Sequence, residues 1–230
     1  MKLAELVFQS SVLEFKLQPG VEPKLAQAWP MTASSGGLRF SYFSYSRIIE
    51  LHRAEGIEPR LEWSERILEE ARRSRRRFPG RLICAHLKRV APYQVEESNA
   101  EIPEWREFLA RNAKPGEHDF MILGDDEVGD EILAIPGVFS ARRMGMGLAE
   151  QLAGVGLADG FIAMGSGICA AANFSATPYV IFKHPAHHGR EMESELAGGD
   201  RFPFAQARQR LWRRQATTEA LEDGLRLILS

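Results

Sequence analysis

The residues best suited to hold an anion stand at Gly165-Ser166-Gly167. Two glycines and a serine leave backbone N–H groups uncovered and add a hydroxyl donor. At a helix start, such groups lie where the macrodipole favours negative charge. Other charged residues hold comparable places, each just past an apolar run. Lys88-Arg89 follows residues 82–87, Asp125-Asp126 follows 120–123, Arg142-Arg143 follows 138–141, and Lys183-His184 follows 179–182. Cations there neutralise a diphosphate, and carboxylates accept hydrogen bonds from ribose hydroxyls or a base. Taken singly, each is also read as an ordinary solvated loop charge. Their shared position at strand ends points to a nucleotide-type ligand with a phosphate at the turn.

The element that must position the turn runs from Ala158 to Pro185. Phe161-Ile162-Ala163-Met164 has the length of a buried strand, residues 168–176 are mostly small and suit a helix packed closely on a sheet, and Thr177-Pro178 breaks that helix. Tyr179-Val180-Ile181-Phe182 then reads as a second buried strand. The sum is a βαβ unit. A membrane span is the rival reading, because no charged residue lies between Asp159 and Lys183. The glycines, serines, Asn173, Thr177 and Pro178 inside the run argue against it. A βαβ unit whose small residues serve packing alone stays open as the alternative to a ligand site.

The same alternation extends through the larger part of the chain. Residues 82–87, 120–123 and 138–141 are further apolar runs, the first nearly continuous, as expected for parallel strands covered on both faces. Residues 101–112 and 148–157 have helical spacing between them. Residues 204–229 read as one or two amphipathic helices. Five strands alternating with helices predict the α/β class: a Rossmann-like doubly wound parallel sheet, with ligands beyond the carboxyl strand ends where strand order reverses. Phe78-Pro79-Gly80 marks the boundary between residues 79–230 and a small irregular α+β segment, residues 1–78. In that segment residues 12–17 and the alternation Leu38, Phe40, Tyr42 suggest strands, with Ala33-Ser34-Ser35-Gly36-Gly37 as a loop. Helices are expected from Ser46 to Gly56 and over 59–77. The second ends in the run from Arg72 to Arg77, which either grips phosphates or an acidic surface or is a solvated helix end. Glu62, Glu65, Glu69 and Glu70 offset its charge and favour the latter.

The 230 residues carry a formal net charge of −2, which provides no global pull toward nucleic acid or an anionic membrane. The two cysteines, Cys84 and Cys169, lie in apolar stretches and read as buried free thiols of a reducing compartment. The first residues include Glu5 and lack a continuous apolar core, so the expectation is a cytoplasmic protein without a secretory signal. His184-Pro185-Ala186-His187-His188 with Glu191 matches no helical metal-ligand spacing, and no metal is expected. Met164 and Ile168 stand where a nucleophile elbow needs glycine. Gly145-Met146-Gly147 lacks the dinucleotide fingerprint, and no cofactor is expected.

Three stretches together resemble the C-terminal, nucleotide-sugar-binding half of GT-B-fold glycosyltransferases. Residues 158–182 are similar to the family's strand, Ser/Gly turn, small-residue helix, Thr-Pro and strand, where donor phosphates meet the turn. Residues 83–89, with His86, Lys88 and Arg89, look like its first strand and basic loop. Residues 201–225 resemble its terminal helices, with Gln209 in a frequent polar position. Heptosyltransferase-like or fucosyltransferase-like members are the nearest in pattern. The heptosyltransferase-like members carry Asp before the Ser-Gly and His after it, where this chain has Gly165 and Cys169. The resemblance implies a GT-B donor-type domain binding a nucleotide-diphosphate sugar and metal-independent transfer to an unknown glycan or lipid-linked acceptor. Its substrate-binding residues would be His86, Lys88, Arg89, Asp125, Arg142, Gly165, Ser166, Gly167, Lys183, His184 and Gln209. A sugar-nucleotide epimerase shares the architecture, and a non-catalytic nucleotide-binding or scaffold module is the reading from another class. The expected partners include no nucleic acid and no membrane span, and a homo-oligomer is left open.

Overall fold

The computed structural model describes residues 7–9, 12–14, 31–34, 37–40, 44–56, 58–89, 98–124, 128–185 and 189–230. The chain packs as two units, Met1–Glu62 with Arg190–Phe204, and Trp63–Gly189 with Ala205–Ser230. The smaller unit holds two antiparallel hairpins, β1 (Val7–Gln9) with β2 (Val12–Glu14) and β3 (Met31–Ser34) with β4 (Gly37–Phe40). Ala33, Ser34 and Gly37, expected in a loop, are strand residues; residues 35–36, 15–17 and Tyr42 lie outside the described set. Helix Ser44–Glu55 ends at Gly56, whose φ of +67° suits glycine at a helix stop. Tyr45 stacks on Phe202 at 4.9 Å and Phe202 on Phe204 at 5.3 Å within this unit.

The larger unit is an α/β layer structure around a six-stranded, all-parallel sheet. Its strands are β5 (Arg81–His86), β6 (His118–Ile122), β7 (Val138–Ser140), β8 (Gly160–Met164), β9 (Tyr179–Phe182) and β10 (Gln209–Trp212). They lie in the order β10-β9-β8-β5-β6-β7. Counted from β5 in chain order, this is the 3-2-1-4-5-6 arrangement of the dinucleotide-binding doubly wound sheet. The chain winds outward from β5 to β7, then returns to lay β8 on the other side of β5. The reversal therefore falls between β5 and β8. The expected five strands are present, and residues 158–185 form strand, helix and strand. Among the described residues no helix is long and apolar enough to cross a membrane.

Both faces are covered, which is why the strands read as unbroken apolar runs. On one face Trp105, Phe108 and Leu109 of helix Ile102–Asn112 and Leu221, Leu225 and Ile228 of helix Thr218–Leu229 share a core with Ile83, Ala85, Phe120, Ile162 and Val180. Gly224 makes this contact close, since a Cβ there would stand 3.3 Å from the Val180 side chain. On the other face helices Glu65–Arg75 and Leu148–Val155 pack against each other, burying Ala71, Leu152 and Val155.

Two expectations need correction. The stretch from Phe204 was expected to be helical, but Gln209–Trp212 is β10, paired in parallel with β9. Its side chains alternate between buried and half-buried, the pattern of a strand at a sheet edge. The helix begins only at Thr217, whose hydroxyl accepts the Ala220 N–H at 3.3 Å. The helix expected over 168–176 is Cys169–Asn173, five residues long.

The Arg72–Arg77 run serves its own helix and the amino edge of the sheet. Arg72 and Arg76 pair with Glu65 and Glu69. Arg75 pairs with Asp159 at 2.8 Å, and the same carboxylate oxygen accepts the Leu82 N–H at 2.9 Å.

Candidate functional site

Parallel strands all deliver their following loops to one edge, so the carboxyl ends of β5, β8 and β9 bring Lys88, the Gly165-Ser166-Gly167 turn and Lys183 together. The turn is built from its own backbone. Gly165 donates its N–H to the Phe182 carbonyl at 2.8 Å and so extends the ladder between β8 and β9. That amide is spent on the sheet. Cys169 and Ala170 donate to the Ser166 and Gly167 carbonyls at 3.2 Å, closing a tight first turn. The Ser166 N–H is directed at the Cys169 sulfur, and the Gly167 N–H has no backbone acceptor among the described residues. Gly167 is exposed, and a Cβ on it would meet no atom within 4 Å. The anion donors of the turn are thus the Gly167 amide and the Ser166 hydroxyl, with the Ser166 amide shared with Cys169, and no helix long enough to add a substantial dipole.

Cations supply what the short helix does not. The side chain of Lys183 passes 3.6 Å from where a Cβ on Gly165 would stand. Lys88 is half-buried and donates from Nζ to Ser98 Oγ at 2.9 Å. Lys183 follows β9 and Lys88 follows β5, the two strands on either side of β8. Burial dominates at the Cys169 thiol and raises its pKa despite the hydrogen bonds from Ser166 and the two lysines. Cys169 is a protected packing residue, as is Cys84, which burial pushes up to about 12.

His86 lies beneath this crevice, only 4% exposed. Its Nδ1 stands 3.0 Å from the Leu123 carbonyl, and because a carbonyl only accepts, Nδ1 carries the proton. The ring packs against Gly124, whose φ of +98° and whose missing Cβ, 3.0 Å from His86 Nδ1 and 3.3 Å from Ile168, both call for glycine. Gln151 fixes the same corner by accepting the Gly124 N–H at 2.8 Å and donating to the Met146 carbonyl at 3.0 Å. His86 therefore ties the end of β5 to the end of β6.

A cavity of about 120 Å³ opens beside the turn, bounded by Met164, His184, Arg214, Asn99 and Glu101 among others. Arg214 lies flat over the Trp212 ring, 3.9 Å from its centroid, with Asp223 at 3.8 Å. Asn99, Glu101 and Arg214 did not emerge from sequence reasoning. The two Arg after Trp212 would have stood out as strand-end cations had β10 been recognised as a strand.

Two expected residues, Arg142 and Gln209, do not join this group. Arg142 follows β7, an outer strand two places from β5, roughly 10 Å away across the sheet. Asp125 lies outside the described residues, as do residues 186–188 of the histidine-rich stretch. Gln209 sits at the amino end of β10, 1% exposed. It donates to the Ser175 and Thr177 carbonyls at 2.9 Å and accepts the Gln206 N–H at 2.8 Å, which saturates it as a structural tie. Arg89 is exposed beyond Lys88. Among the described residues no group of His, Cys, Asp and Glu is placed to hold a metal ion. No protein-family model, no curated protein and no solved structure matches the chain.

Proposed function

We propose that the larger unit binds a nucleotide-diphosphate sugar at the carboxyl edge of its sheet and transfers the sugar to a glycan or lipid-linked acceptor. The observation that carries the reading is the reversal of strand order between β5 and β8, with Lys88 and the Ser166–Gly167 turn at those two carboxyl ends. Ligands of open α/β sheets bind at such a point. The diphosphate lies over the turn, taking hydrogen bonds from the Ser166 and Gly167 amides and the Ser166 hydroxyl, between the ammonium groups of Lys88 and Lys183. The same donors stabilise charge on the diphosphate as its bond to the sugar breaks. In that step the acceptor hydroxyl oxygen attacks the anomeric carbon and its proton is lost to water, while the carbon–oxygen bond to the diphosphate breaks and the electron pair leaves with the nucleoside diphosphate.

The test is calorimetry with uridine, guanosine, adenosine and cytidine diphosphates. Lys88→Ala should weaken the best of them by roughly 1.5–3 kcal/mol, the worth of a charge-assisted hydrogen bond. Unchanged affinity in folded Lys88→Ala and Ser166→Ala would remove the turn from the site. A binding module without turnover is the second reading. The described elements of the smaller unit favour it, being hairpins and helices and no parallel sheet of the kind a GT-B acceptor domain would have. Release of diphosphate from a bound nucleotide sugar supports the enzyme, whereas tight binding without release supports the module. Interconversion of two sugar epimers would instead favour the epimerase.

A further inference from the structure

The cavity beside the turn differs in chemistry from the turn itself. We infer that it is the seat of the sugar ring, a neutral polyhydroxylated group, with Glu101 as the carboxylate that reads its hydroxyls; the inference rests on the phosphate position proposed above. Position comes first. The cavity begins at Met164, the last residue of β8, next to the turn, and continues past His184 after β9 to residues 214–216 after β10. A group bonded to the outer phosphate reaches it directly.

Charge balance argues against a second anion there. Arg214 is held over Trp212 and has Asp223 nearby, and Glu101 adds a negative charge, so the cavity has no surplus of cations. The lining also argues against a nucleobase. A base needs a broad apolar or aromatic wall, but the Trp212 face is covered by Arg214, and the buried apolar side chains lining the cavity are Met164 and Ala216. Hydroxyl groups fit the remaining chemistry. Each is one donor and two acceptors, and the lining holds both kinds of partner, the Glu101 carboxylate, the Arg214 guanidinium and the side-chain amides of Asn99 and Gln215.

Beyond the helix dipole, which favours a negative charge at this end, no fixed partner holds the Glu101 carboxylate among the described residues. Glu101 stands immediately before helix Ile102–Asn112, where a side chain ordinarily caps the helix, yet it makes no capping bond. The structural work in that first turn falls to Glu104, whose carboxylate accepts the Thr218 N–H at 2.6 Å and the Thr218 hydroxyl at 2.7 Å.

The experiment measures, by calorimetry, each nucleoside diphosphate against its sugar conjugate: UDP with UDP-glucose, GDP with GDP-mannose, ADP with ADP-glucose. Wild type is expected to favour at least one conjugate over its diphosphate. Glu101→Gln keeps the size and removes the charge, and should weaken that conjugate about 10- to 100-fold while the diphosphate stays within about twofold. A conjugate preference that survives in Glu101→Gln overturns the sugar seat and leaves the phosphate site standing. So does an equal loss for diphosphate and conjugate, which would assign the cavity to the nucleotide. If neither diphosphates nor conjugates bind wild type, the proposed function fails. Free glucose, mannose and galactose then decide the cavity alone: a thermal shift in wild type that is lost in Glu101→Gln upholds it, and no shift overturns it as well.

Discussion

The amino and carboxyl edges of the six-stranded sheet draw on the same kinds of side chain and use them differently. At the amino edge, polar groups are committed to fixed partners. Arg81 and Arg208 donate to the Leu229 and Ile228 carbonyls at the end of the last helix. Arg75 holds Asp159, Asp119 accepts the Gly116 N–H at 3.1 Å, and Gln209 is tied three ways. Helices Ile102–Asn112 and Thr218–Leu229 both end there, so cations also answer the negative ends of their dipoles. At the carboxyl edge, the Gly167 amide of the β8 turn has no backbone acceptor among the described residues, Lys88 and Lys183 follow the neighbouring strands, and the Glu101 carboxylate faces a cavity. Size does not separate the edges in favour of the site. The hollow at the amino edge, near Arg111, His118 and Arg226, measures about 560 Å³ against about 120 Å³ at the carboxyl edge. Its ions are paired, however: Arg111 with Glu222 at 3.4 Å and also with Glu107, and Arg226 with Asp223. The reversal of strand order, rather than volume, marks the candidate site.

If the amino edge is architecture, substitutions there should act on stability alone, and the largest effect is expected at Gly80. A Cβ on that residue would stand 2.3 Å from the Gly116 carbonyl oxygen and 2.7 Å from that of Glu117. Both are backbone atoms, and Arg81 bonds to the same Glu117 carbonyl at 2.9 Å, so neither can yield without opening the start of the sheet. Gly80→Ala should cost about 3 kcal/mol, the upper range for overpacking, read as a lower urea midpoint. Nucleoside-diphosphate affinity per folded molecule should not change. A matching loss of affinity would break the division between the edges.

A smaller effect is expected where architecture reaches the carboxyl edge, at Glu104. Its clamp on Thr218 holds the start of the last helix, just beyond the cavity wall at Gln215 and Ala216. The hydrogen bonds from the Thr218 hydroxyl and N–H hold its pKa below the ordinary 4.5. A group lowered on folding stabilises above its unfolded pKa and loses that contribution as pH falls through the folded one. Wild type should therefore exceed Glu104→Gln by about 1 kcal/mol near neutral pH, the worth of a charge at a helix N-terminus. The two urea midpoints should converge as the solution is acidified below 4.5. A constant gap across that range would show that the carboxylate's charge is not what matters.

The sheet was legible because its inner strands are buried on both faces, leaving unbroken apolar runs such as Leu82-Ile83-Cys84-Ala85. The edge strand β10 was not, because Gln209 and Arg210 interrupt it and its solvent-side residues imitate one face of a helix. That misreading also placed Gln209 in a ligand site, whereas a buried amide with three backbone partners is a structural tie. The short helix after β8 was read too long because small residues fit either a helix or a tight turn. Lys88, Ser166 and Lys183 could be placed at one sheet edge because each follows a strand that periodicity reveals. Asn99, Glu101 and Arg214 come from loops more than a hundred residues apart at the extremes, and only the topology brings them together.

The smallest expected change in stability gives the sharpest test of the carboxyl edge. Gly167 is exposed, its φ is not among the positive values, and a Cβ there meets open space. Packing between helix and sheet therefore gives no reason for glycine at this position. Gly167→Val should leave the urea midpoint within about 0.5 kcal/mol of wild type, as for an unconstrained surface position. A phosphate held by the Ser166 and Gly167 amides would nevertheless collide with the added side chain, and nucleoside-diphosphate affinity should fall at least tenfold. Ser166→Ala, which removes a donor and adds no bulk, should lower it by a smaller factor, also without loss of stability. Loss of affinity at constant stability is an outcome that no substitution at the amino edge should produce. Normal affinity in Gly167→Val would withdraw the turn from the site and reduce the contrast between the edges to one of packing.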